Sequence, residues 1–323
     1  MFNKLNIADE VFQSFGSFHP NAPNMKALPP QKLLSDEELS AKIAEIEPKL
    51  KKGGLILTFS VIALFISFIF AGLFMLPFLV LSIIFGISTA INRQKLKELI
   101  SNNVVRGVLT ETFGDLHYAP THYIPKNRIL YTKLIPKWNK IKGSDLVEGA
   151  YKGVKFSFSD LHLQHETRSG KNRSCVTVFK GQWLILELSR SIPWGLSLRE
   201  RGSDNKRAKS DLQTENIEFN NKFEIKASDG HTAFYVLTPH FMEYIMKADL
   251  KANARTYINI GGKQIHIALH NGRDLFEPTG RKLFDMSNIA ALRMQMRWDV
   301  NYITGIIDEF LLCERLFESR GAE

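Results

Sequence analysis

The run GGLILTFSVIALFISFIFAGLFMLPFLVLSIIFGISTAIN, residues 53–92, holds forty residues without a charge. As one helix it would measure about 60 Å, twice what a bilayer core needs. Tilt does not absorb that excess, whereas two spans of about 18 residues joined by a tight turn fit. The spans are placed at 54–70 and 74–91, with Ala71, Gly72 and Leu73 as the turn and Pro77 inside the second. Lys49, Lys51 and Lys52 precede the run, and Arg93, Lys95 and Lys97 follow it. Basic residues at both ends place both ends in the cytoplasm by the positive-inside rule. The localisation expected is the inner, cytoplasmic membrane.

Working outward, the spans hold no Asp, Glu, Lys, Arg or His, so the hairpin offers no ion or proton relay. A pore or pump is disfavoured, and the run is too long and too far from the start for a cleavable signal. Two cysteines, Cys175 and Cys313, are too few for a disulfide framework and suit a reducing compartment. The net charge is +9, yet residues 1–92 carry seven Lys against seven acidic residues. The surplus therefore lies after the membrane run, where anionic lipid headgroups are its simplest counterpart. No recognition motif points to nucleic acid.

Ahead of the run, residues 1–52 form a cytoplasmic N-terminal segment. Phe2, Phe12, Phe15 and Phe18 lead into a Pro-rich stretch ending at Pro30, and packing on a domain or on the membrane fits equally. Ser35 and Glu38 make a capping box, after which Leu39, Ile43, Ile46 and Leu50 form an apolar stripe that Pro48 should kink or interrupt. Behind the run, Leu96, Leu99, Ile100, Val104, Val108 and Phe113 make a matching stripe, expected as a stalk helix over 93–115.

Residues 116–323 read as a cytoplasmic α+β domain of mainly antiparallel strands with a long C-terminal helix. Residues 116–141 read as irregular connection with short strands. Val147–Ser159, Cys175–Ser189 (interrupted at Gly181), Leu196–Leu198 and Phe219–Ala227 read as strands. Tyr257–Leu269 reads as a hairpin turning at Gly261 and Gly262. Thr238 and Pro239 supply N-cap and first helical residue for a helix to about Leu250. Ile289, Leu292, Met296, Val300, Ile303, Ile307 and Phe310 keep helical period over about 287–317.

The stretches Gly149–Phe156, Val178–Gly181, Phe219–Ile225 and Tyr235–Met242 resemble a bacterial membrane protein family known as domain of unknown function 3137. The likeness extends from the paired spans to Leu269. It implies two adjacent spans ahead of a cytoplasmic domain and brings no activity, cofactor or catalytic residue with it.

Candidate chemistry is sparse. His162 and His165 fall on opposite faces of a strand, and His266 and His270 share a face but stand about 13 Å apart, too far for one metal ion. His117 and His122 lie in irregular chain. Asp229-Gly230-His231 reads as a turn, and Gly261-Gly262-Lys263 lacks phosphate-loop spacing. No metal, cofactor or catalytic residue is assigned. The surface feature singled out is Arg199, Arg201, Lys206, Arg207 and Lys209, set in a charged loop that reads as a solvated excursion and as a contact for anionic lipid or an acidic partner. The reading is a membrane-anchored interaction or scaffolding module with a membrane-associated protein partner. The alternative is a membrane-tethered hydrolase acting on lipid or envelope substrates, with a site scattered in sequence.

Overall fold

The computed structural model describes residues 33–69, 75–170, 172–202, 206, 208–277 and 288–317. The chain is α+β, and its contacts divide it into a helical unit, built from Gln31–Thr112 and Phe276–Val300, and a sheet unit, built from Phe113–Leu275 and Asn301–Glu323 among the described residues.

The helical unit begins with α1 (Asp36–Ile69) and α2 (Met75–Ile100). The capping box forms as expected: Glu38 N–H donates to Ser35 Oγ at 3.2 Å and Ser35 N–H to Glu38 Oε2 at 3.1 Å. Helix α1 passes through Pro48 without ending, because the tertiary support of a packed stripe outweighs the one backbone bond that proline removes. The turn assigned to Ala71–Leu73 lies outside the described residues.

The two helices run antiparallel along a seam with a seven-residue repeat. Ser82 Oγ lies 2.9 Å from Ser60 Oγ, and a Cβ placed on Gly53 would come within 2.7 Å of Thr89 Oγ1. Away from the uncharged run the seam is lined by large apolar residues, with Leu39, Ile43, Leu96 and Ile100 all buried. Within the run it switches to Gly53, Ser60 and Ser67, also buried. That switch coincides with the start of the uncharged run. In water, burying Leu and Ile drives association; in lipid, apolar side chains gain nothing from one another beyond packing, and small residues let the backbones approach. The outward surface of the same segment is predominantly apolar and exposed, including Phe59, Phe65, Phe68, Leu76, Ile83 and Ile87, with Thr58 and Ser88 its exposed hydroxyls. Both helices are long and apolar enough to cross a membrane.

Below the seam, α2 passes through a π-turn at Ser101–Val105 into α3 (Arg106–Phe113). Asn103 sits in that turn, donating through Nδ2 to Leu99 O at 2.8 Å and accepting Leu34 N–H at 3.0 Å. The first half of α8 (Ile289–Leu311) completes this unit. Its Arg293 pairs with Asp36 at 2.6 Å, and its Arg297 with Glu111 at 3.0 Å.

The sheet unit holds six antiparallel strands: β1 (Leu116–Ala119), β2 (Lys140–Tyr151), β3 (Val154–Ser169), β4 (Asn172–Glu200), β5 (Phe223–Ala227) and β6 (Arg255–His270). They follow the order β1-β2-β3-β4, with β4 long enough to take β6 along one edge and, beyond Leu196, β5 along the other. A short helix α4 (Lys126–Leu130) follows β1. Helices α5 (Ile217–Lys222), α6 (Gly230–Val236), α7 (Pro239–Ala252), the second half of α8 and α9 (Glu314–Phe317) complete the unit. Thr238 caps α7 as expected, accepting Phe241 N–H at 3.3 Å. Segment 119–138 lays Ile124, Ile129, Leu134 and Ile135 on a sheet face made by Leu161, Leu163, Phe179, Trp183 and Ile185.

Several expected boundaries move. Val147–Ser159 is not one strand: it folds back at Lys152 (φ 49°) and Gly153 (φ 81°), pairing Tyr151 with Val154 in a two-residue turn whose central residues both take positive φ. The pieces read around Gly181 and Leu196 are a single strand, β4. The hairpin expected at Gly261–Gly262 is likewise a single strand, β6. Between Glu187 and Leu196, strand β4 bulges twice against β6, so nine steps along β4 match four along β6. Gly262, at φ 58°, takes the backbone kink at that place. Phe219–Lys222 is helical, because Asn216 accepts Phe219 N–H at 3.0 Å and starts a turn that the alternating pattern conceals.

Candidate functional site

The loop after β4 separates the five cations picked out in the sequence. Arg201 is wholly engaged: Nη1 donates to Ala208 O at 2.8 Å, Nε to Asn220 O at 3.2 Å and Nη2 to Ser210 Oγ at 3.1 Å. Arg199 donates through Nη2 to Lys133 O at 2.6 Å. Lys206 and Lys209 are exposed, and Arg207 lies outside the described residues. The second half of the loop is not a solvated excursion. Asp211 N–H donates to Ile225 O at 2.8 Å, Ile225 N–H to Ser210 Oγ at 3.0 Å and Ala227 N–H to Asp211 Oδ2 at 3.1 Å. Ser210 and Asp211 thus extend the sheet along the open edge of β5, satisfying backbone groups that an edge strand leaves bare. Beside them is an open surface depression of about 470 Å³ lined by Arg201, Lys209, Ser210, Asp211, Gln213 and Asn220.

A second polar cluster sits inside the sheet. His266 is fully buried between Trp183 and Tyr131. The Trp183 indole can only donate, and it does so to His266 Nδ1 at 3.2 Å. The proton therefore resides on Nε2, which faces Tyr131 Oη at 2.6 Å and Gln264 Oε1 at 3.2 Å. Burial, with Arg128 adding a smaller repulsion, holds the imidazole down to about 3. Burial pushes the Tyr131 phenol up to about 12. The pair is neutral across the physiological range, which suits fixed hydrogen bonding rather than proton transfer.

Asp160, also buried, accepts Gln182 Nε2 and Leu275 N–H, each at 2.9 Å. Burial, helped by the charge on Asp145, pushes its carboxyl well above the usual range against those two bonds. Gln182 also takes Asn271 Nδ2 on its carbonyl at 2.7 Å, and the whole set fastens residues 271–275 to the sheet.

The histidines weighed in the sequence do not converge. His270 Nδ1 accepts Lys180 N–H at 2.9 Å, His162 Nε2 lies 2.8 Å from Thr177 Oγ1, and His122 Nδ1 lies 3.3 Å from Thr121 Oγ1. Among the described residues no three His, Cys, Asp or Glu side chains are grouped to hold a metal ion. Asp229 is not a turn residue but the N-cap of α6, accepting Thr232 N–H at 2.8 Å. Tyr131 and Trp183 escape sequence reading because they come from α4's end and from β4, the latter brought to His266 by the register that pairs Ile185 with it, whereas Gln264 lies two residues away on β6.

These features define an α+β chain with two helices long and apolar enough to cross a membrane. Residues 177–312 match the model of a family described as "Protein of unknown function (DUF3137)". The match takes in Val178–Gly181, Phe219–Ile225 and Tyr235–Met242, and leaves Gly149–Phe156 and the two apolar helices outside. None of the curated proteins matches. A solved structure, the crystal structure of the mycobacterial trehalose monomycolate transport factor A, TtfA, is similar at 10% identity and a TM-score of 0.31, covering 62% of this chain and 93% of that one. At that score the likeness carries no argument.

Proposed function

We propose that this protein is a membrane-anchored interaction or scaffolding module, held in the bacterial inner membrane by two spans with both termini in the cytoplasm. The observation that carries the reading is the hairpin's division into a small-residue seam and an uncharged, predominantly apolar outer surface, with Phe59, Phe65, Phe68 and Ile83 all exposed. Such a surface supports contact with lipid. The orientation rests on the basic residues that flank both ends of the run.

On this reading residues 1–52 are a cytoplasmic preamble, 53–92 the membrane hairpin, 93–115 a stalk and 116–323 the domain that meets a membrane-associated partner. Lys206 and Lys209, both exposed, the second lining the depression on the β5 edge, are the members of the basic set best placed to touch an acidic partner or anionic surface. The test is crosslinking in native membranes followed by mass spectrometry of co-purified proteins. A reproducible partner whose crosslinks fall within 116–323 supports scaffolding, and recovery of none counts against it. Extraction of the chain by alkaline carbonate would refute integral insertion.

A further inference from the structure

The seam fixes which residues lie level with one another. With Gly53 opposite Thr89 and Ser60 opposite Ser82, each step along α1 is matched by one step back along α2. Lys52 is then level with Ala90, Lys49 with Arg93, and Glu47 with Lys95. Five exposed cations, Lys49, Lys51, Lys52, Arg93 and Lys95, therefore share a band about 8 Å deep at the rise of an α-helix, directly beneath the uncharged run. No acidic residue occurs between Glu47 and Glu98.

Within that band the pairing is uneven. Lys49 takes Glu45 at 2.7 Å and Lys51 takes Glu47 at 2.6 Å, both one helical turn farther from the apolar run. Lys97, next below Lys95, takes Glu277. Lys52, Arg93 and Lys95 have no ion-pair partner among the described residues. The carboxylates thus pair Lys49 and Lys51 and leave Lys52 and Arg93 without an ion pair beside the apolar boundary, with Lys95 at the lower rim of the band, where Glu45 acts on it only at longer range. At that depth the available counter-charge is the phosphate of a lipid headgroup, which arginine grips through two parallel N–H bonds and lysine meets as a point charge.

We infer that Lys52, Arg93 and Lys95 form a collar that binds anionic phospholipid headgroups around the base of the hairpin, so that the protein selects its annular lipids. The inference rests on the reading of residues 53–92 as membrane-inserted. It assigns the lipid contact to the hairpin base rather than to the loop after β4.

The test uses the full chain in nanodiscs of equal parts phosphatidylcholine and phosphatidylglycerol, with the lipids that stay bound counted by native mass spectrometry. The wild-type chain is expected to retain phosphatidylglycerol several-fold over its share. K52Q/R93Q/K95Q should bring that ratio to about one, whereas K52R/R93K/K95R, which keeps three positive charges, should hold it. An unbiased wild-type annulus, or an unchanged ratio in the glutamine variant, would overturn the collar while leaving insertion intact. A wild-type chain that does not enter nanodiscs overturns the membrane reading and the collar with it.

Discussion

Ser82 Oγ lies 2.9 Å from Ser60 Oγ across the hairpin and 2.8 Å from the carbonyl of Phe78, one turn back. Ser60 spends its own proton on Leu57 O at 2.9 Å, so its lone pair is the acceptor that Ser82 meets. A single interhelical bond of this kind contributes on average only about 0.6 kcal/mol in a bilayer, since the separated helix recovers a partner on its own backbone. Ser60→Ala should therefore be nearly silent in a thermal melt of the purified protein. Ser60→Leu should lower the midpoint clearly, because Ser60 is buried in the seam and a larger side chain must push the helices apart. Equal midpoints for the two variants would show that the seam is not close-packed at this level.

His266 makes stability depend on pH in a defined sense. Its folded-state value, about 3, lies below the ordinary 6.5, so the unfolded chain binds the proton more readily. The stabilisation is complete above pH 6.5 and is lost progressively as pH falls toward 3, at up to about 1.4 kcal/mol per pH unit. His266→Gln should cost stability at pH 7.5, because Trp183 and Tyr131 lose a shaped partner, and should flatten the fall in melting temperature between pH 6.5 and 4.5. A slope identical to wild type would place the acid sensitivity elsewhere.

The two long apolar helices are legible in the sequence because their signals are local: an uncharged run of known length, a serine and a glutamate three apart, a basic residue on each flank. The sheet is less so, and its glycines explain why. Gly261 and Gly262 carry the chemistry of a hairpin turn, yet they lie within β6, opposite a doubly bulged β4. Nothing within a few residues distinguishes a turn from a bulge. Conversely the true turn at Lys152–Gly153 puts a lysine at positive φ, which disguises it as strand. The cluster around His266 is hidden for a related reason: Trp183 meets it through the β4–β6 register and Tyr131 from the end of α4, neither of which any spacing encodes, and only Gln264, two residues along β6, is near it in sequence.

Arg201 should behave as a structural staple and Lys206 and Lys209 as free surface charges. Removing the Arg201 guanidinium takes its donors from Ala208 O and Asn220 O and leaves Ser210 Oγ only Ile225 N–H. Arg201→Ala is thus expected to cost about 1–3 kcal/mol and to open residues 208–214 to protease. The double variant K206E/K209E should stay within about 0.5 kcal/mol of wild type while weakening any contact with an acidic partner or surface. Limited proteolysis with a melting curve distinguishes the two, and a protease-resistant Arg201→Ala would show that the β5 edge holds the loop without it.

Among the described glycines, Gly181 has the closest approach to an added Cβ. It stands mid-strand, paired to Leu161 on one side and His270 on the other, at φ 149°. A Cβ there would lie 2.0 Å from Leu269 O. Backbone atoms on both sides belong to paired strands and cannot retreat without breaking ladder bonds. Unlike Gly153, where no atom lies within 4 Å and only the φ penalty applies, Gly181 carries both a conformational and a steric demand. Gly153→Ala should cost about 1–2 kcal/mol, and Gly181→Ala distinctly more, enough to remove the cooperative transition at 37 °C. Comparable melting curves for the two would mean that β4 shifts to make room, and that the close approach of β6 at Leu269 is not what holds Gly181 in place.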